Sequence, residues 1–64
     1  MTYEEFKAKV AQQMKQKGYA PHKTDAEIAE AIAEYEDIVQ DRFKDEHGTA
    51  HGIKCAADNI SMLI

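Results

Sequence analysis

The chain has 64 residues, 12 acidic side chains against 8 basic ones for a net charge of -4, and 44% hydrophobic content. That is enough for one domain with one small core, which buries only about 60% of the surface its unfolded chain exposes. A single cysteine, Cys55, excludes an intramolecular disulfide, and no apolar run approaches the roughly 20 residues of a membrane span. Met1 is followed by Thr2-Tyr3-Glu4-Glu5 rather than a basic and then apolar leader, so the expected location is the cytoplasm.

Residues 1 to 17 predict the first helix. Thr2 followed three residues later by Glu5 has the spacing of a capping box, so helix 1 is expected over about 2–17. Tyr3, Phe6, Val10 and Met14 step by three and four along its buried side, and Gly18 supplies a left-handed residue to end it. Tyr19-Ala20-Pro21-His22-Lys23 reads as a connection, because proline costs a helix interior about 3 kcal/mol. Thr24 with Glu27 repeats the capping spacing, and helix 2 is expected over about 25–45. Its apolar stripe is Ile28, Ile32, Tyr35, Val39 and Phe43, with Ile38 at the edge.

Gly48 suits a C-terminal cap and Thr49 an N-cap, so the turn into a third helix over about 50–63 is short. Ala50, Ile53, Ala57, Ile60 and Ile64 form the stripe of helix 3, with Leu63 beside it, while Gly52 in its first turn weakens it by about 1 kcal/mol relative to alanine. The expected fold is therefore all-α, a single three-helix bundle spanning residues 1–64.

Charge is distributed unevenly along these helices. Residues 1 to 23 hold five lysines against two glutamates, whereas residues 24 to 46 hold nine acids against Arg42 and Lys44. Glu27, Glu30, Glu34, Asp37, Asp41 and Asp45 recur at steps of three and four, on the face of helix 2 opposite its apolar stripe. Such a row is ordinarily a solvated surface. It also suits docking onto a basic protein, including the basic groove of a nucleic-acid-binding one, in the way an inhibitor from a phage or mobile element would act by charge mimicry. Direct contact with nucleic acid is not expected, because helix 2 would repel phosphates and neither helix 2 nor helix 3 is a basic recognition helix.

Two further constellations stand apart from the ridge. His51, Cys55 and Asp58 fall on one side of helix 3 with His47 just before it, and imidazole with thiolate suits zinc. His47, His51 and Cys55 are thus candidate ligands for a metal-responsive regulator, with His22 as a fourth, although a single helix rarely converges on a tetrahedral ion. No third group to activate Cys55 as a nucleophile, and no oxyanion donor, can be identified, so neither catalysis nor a cofactor is expected. Ile38, Met62, Leu63 and Ile64 make an apolar edge that a chain of this size covers poorly, which predicts a homo-oligomer, a dimer first of all. The expected activity is binding another protein through the acidic helix face; the alternatives are metal-dependent regulation and a purely structural subunit.

Overall fold

The computed structural model describes all residues, Met1–Ile64, and is all-helical with four helices rather than three. They are α1 (Tyr3–Met14), α2 (Asp25–Glu34), α3 (Glu36–Phe43) and α4 (Thr49–Leu63). No helix is long and apolar enough to cross a membrane.

α1 starts where the sequence places it. Thr2 is its N-cap, accepting the Glu5 backbone N–H on Oγ1 at 3.1 Å. The reciprocal half of the capping box is not made there, because the Thr2 hydroxyl instead donates to the Glu5 carboxylate. The expected end at residue 17 is a correction: α-helical geometry stops at Met14. Gln16 and Tyr19 then bond to the carbonyls three residues back, and the Ala20 N–H reaches the Met14 carbonyl at 2.9 Å. Gly18 sits at φ 96°, as expected, and this fold-back carries Ala20 into the core.

α2 opens with a complete capping box: Thr24 Oγ1 accepts the Glu27 N–H at 3.2 Å and Glu27 Oε1 accepts the Thr24 N–H at 2.9 Å. The single helix expected over 25–45 is broken at Tyr35, whose backbone lies at φ -105° and ψ 37°. The N–H groups of Glu36 and Asp37 no longer reach the carbonyls of Ile32 and Ala33, and the Tyr35 carbonyl accepts from both Ile38 and Val39. Packing explains the break. A straight helix over residues 25 to 44 would be about 30 Å long against about 18 Å for α1. Divided, α2 packs on α1 while α3 turns to pack on both α1 and α4. The Tyr3 hydroxyl donates to Glu36 across this junction at 3.4 Å.

The turn between α3 and α4 departs from expectation at its caps. Gly48 is the N-cap of α4, at φ 110°, and Thr49 is the first helical residue rather than the cap. Gly52 is buried against the end of α3, where a Cβ would fall inside contact distance of the Arg42 carbonyl oxygen and 3.4 Å from Asp45 Cβ. The helices approach backbone to backbone there, which only glycine permits.

The core comprises Phe6, Val10 and Met14 from α1, Ala20, Ile28, Ala31 and Ile32 around α2, Val39 from α3, and Ala56, Ala57 and Ile60 from α4. Tyr3, Tyr35 and Ile53, expected inside, are half-buried. Phe43, Leu63 and Ile64, also expected inside, are exposed, and so is Met62. Phe43 still packs edge-to-face on Tyr3 and Phe6, with ring centroids 5.2 and 5.3 Å apart. Leu63 and Ile64 lie at the end of α4, beyond the last core residue, Ile60.

Candidate functional site

Two places gather chemistry, and the better defined is the turn joining α3 to α4. Asp45 lies just beyond α3 and uses both carboxylate oxygens: Oδ1 accepts the His47 backbone N–H at 2.8 Å, and Oδ2 lies 2.8 Å from His51 Nδ1. Those hydrogen bonds, the His47 N–H first and then the His51 side chain, hold its pKa below the usual carboxylate range. The Asp45 side chain is only 6% exposed and therefore fixed, while the His51 side chain is 51% exposed and open to solvent.

One helical turn beyond His51 is Cys55, whose Sγ lies 3.7 Å from Nδ1 and 3.6 Å from Nε2. His47 completes the group, its ring packed edge-to-face on that of His51 at 5.2 Å. The ligand atoms of Asp45, His51 and Cys55 all fall within 4.8 Å of one another. Of the residues expected here, His51 and Cys55 come together and His47 lies alongside. Asp58 and His22 are both exposed and outside the cluster. The residue missed for this group is Asp45, assigned by its spacing to the acidic ridge.

Carboxylate, imidazole and thiol in sequence have the composition of an activated nucleophile, so Asp45 is the third group that the sequence did not reveal. The alignment is not that of proton transfer. Sγ is nearly equidistant from the two ring nitrogens, hence off the lone-pair axis of either, and Nδ1 already faces Asp45.

The second place is the acidic face. Glu27, Glu30 and Glu34 lie on α2 and Asp37 and Asp41 on α3, all exposed, but the break at Tyr35 divides the row into two groups and Asp45 leaves it altogether. Glu27 is engaged as the capping residue, and its pKa is lowered chiefly by the Thr24 backbone N–H. The ion pairs of the molecule are Lys7 with Glu4, Lys15 with Asp25, and His51 with Asp45, so none of these five carboxylates has a cationic partner. Glu27, Glu30 and Glu34, with Lys23 and Ala31, line a shallow hollow whose remaining wall is Ile64. Met62 and Leu63 continue that apolar end outward, 74% and 54% exposed, whereas Ile38 is half-buried against the core.

No protein-family model, curated protein or solved structure matches this chain.

Proposed function

We propose that the protein is a non-catalytic binding module that docks onto a basic protein surface. The exposed carboxylates of α2 and α3 steer the encounter, and the Met62-Leu63-Ile64 end of α4 is its apolar anchor. The observation that carries this reading is the conjunction at the hollow between α2 and the end of α4. Glu27, Glu30 and Glu34, none of them in an ion pair although Lys23 stands at the same hollow, line it together with the exposed Ile64. Exposed carboxylates alone are ordinary; beside an uncovered apolar end they have the composition of an interface rim around its core. The complementary surface alternates lysine or arginine with leucine-sized side chains. The basic groove of a nucleic-acid-binding protein is one such surface, and phosphate mimicry by the carboxylates is the form the interaction takes there.

The test is fluorescence anisotropy with a labelled amphipathic lysine–leucine helical peptide, alongside an isomer of equal charge with its leucines dispersed. Binding is expected to prefer the amphipathic peptide. It should weaken as salt is raised, and weaken again in Glu30→Lys/Glu34→Lys and in Ile64→Ser. Affinity indifferent to both variants would overturn the proposal. Light scattering across protein concentrations reads the same surface independently, since a fixed dimer that Leu63→Ser dissolves would assign the apolar end to a second copy.

A further inference from the structure

A metal site is written into the α3–α4 turn independently of the acidic docking face. We infer that Asp45, His51 and Cys55 bind a divalent transition-metal ion of zinc-like softness.

The donor set is the first argument. Carboxylate oxygen, imidazole nitrogen and thiolate sulfur are each ordinary zinc ligands, and their combination selects against the all-oxygen preference of magnesium or calcium. Spacing is the second. Zinc–ligand bonds of about 2.0 to 2.3 Å at tetrahedral angles place neighbouring nitrogen and sulfur donors about 3.5 Å apart, and oxygen and nitrogen donors about 3.3 Å apart. Sγ of Cys55 lies 3.7 Å from His51 Nδ1, already near the required edge. Asp45 Oδ2 lies 2.8 Å from the same nitrogen, a hydrogen-bond length, so the pair must open by roughly half an ångström as the ion replaces the proton between them.

The third argument is that closing the site takes one side-chain rotation: the ligand atoms lie up to 4.8 Å apart, so Cys55 Sγ must swing off the imidazole toward Asp45 by about an ångström, while the other two donors are already held. Asp45 is pinned from behind by the His47 N–H on Oδ1, so Oδ2 is already aimed at the His51 imidazole. His51 and Cys55 are four residues apart on one face of α4, and the half-exposed imidazole leaves an approach from solvent. Cys55 binds as the thiolate, its proton passing to the buffer; the proton displaced from His51 Nδ1 exchanges through solvent onto Nε2, leaving a neutral imidazole whose Nδ1 lone pair binds the ion. The fourth position is open to water, or to the neighbouring His47 imidazole after a side-chain rotation. Such a site is one-sided and exchangeable, unlike a closed structural zinc site.

Cobalt(II) titration of the full reduced chain tests the inference, because a cobalt–thiolate bond produces a near-ultraviolet charge-transfer band and tetrahedral cobalt produces intense visible bands. Both are expected, and zinc should displace them. Cys55→Ser should abolish the charge-transfer band. His51→Ala and Asp45→Asn should each weaken binding at least about tenfold, given that even outer-sphere partners of metal ligands are worth that much. His22→Ala should leave the titration unchanged. Circular dichroism confirms that each variant is folded, and the exposed His51 position keeps the test valid if Asp45→Asn loosens the turn. A featureless aqueous cobalt spectrum at excess metal would overturn the site, and so would bands that survive loss of both His51 and Cys55.

Discussion

Replacing Gly52 by alanine sets two effects of opposite sign against each other, and the structure decides between them. Gly52 is an interior residue of α4, so on helix propensity alone the alanine variant is more stable by about 1 kcal/mol. The new methyl would, however, press into the Arg42 carbonyl oxygen, which is backbone and cannot swing aside like the tip of a long side chain. Overpacking of this kind costs about 1 to 3 kcal/mol. That carbonyl also accepts the Asp45 N–H at 3.1 Å, and disturbing this bond adds about 1 kcal/mol. The net expectation is a loss of about 1 to 3 kcal/mol from a domain whose total stability is on the order of 3 to 10 kcal/mol. Thermal melts followed by far-ultraviolet circular dichroism should show the midpoint falling by about 4 to 8 °C per kcal/mol lost. A raised midpoint would refute the reasoning, since it would mean that α4 can move off α3 at no cost and that propensity alone governs this position.

Thr24→Ala removes the acceptor of the Glu27 N–H and should cost about 1 kcal/mol, or about 4 to 8 °C in the same melt. Thr2→Ala removes the matching acceptor of the Glu5 N–H and the hydroxyl's own bond to the Glu5 carboxylate, so it should cost a similar amount, and an unchanged melt would show that this cap contributes nothing. Acid should destabilise the chain through Glu27 and Asp45. The pKa of each is lowered in the folded state, so their contribution is complete above the unfolded carboxylate values near pH 4 and disappears as pH falls through the folded values. Melts in chelator at descending pH should show this decline. It should be shallower in Glu27→Gln and in Asp45→Asn, and parallel curves for wild type and both variants would exclude these two groups as its source.

Helix identity was legible because apolar side chains at steps of three and four report which side of a helix is buried. Phe6, Val10, Met14, Ile28, Ile32, Val39, Ala57 and Ile60 are all inside, as their spacing requires. Ala57 apart, alanines were not legible: Ala20, Ala31 and Ala56 are buried while Ala26, Ala29 and Ala33 are exposed, and a methyl group fits either side. The break at Tyr35 has no proline or glycine to announce it. Its one local sign is the pair Glu36 and Asp37, which as first-turn acids favour a new helix N-terminus, but acids are so frequent along this stretch that the sign is lost among them. Gly52 looked like a local weakness in a helix because its reason for being there is another element's backbone.

The two sites differ in what holds them. Asp45, His47, His51 and Cys55 belong to one turn and the two helical turns after it, so forming α4 against the end of α3 assembles them with little further loss of chain entropy. The spacing rule that assigned Asp45 to the ridge assumed one unbroken helix through residue 45. Once α3 ends at Phe43, the same carboxylate is free to turn back toward His51. The acidic face depends instead on long-range packing. Its Glu27, Glu30 and Glu34 are carried by α2, which rests mainly on α1, whereas Ile64 caps the end of α4. Their meeting at one hollow is therefore set by how α1 holds both helices, and a cavity made beneath α2 should disperse that surface before it disturbs the turn.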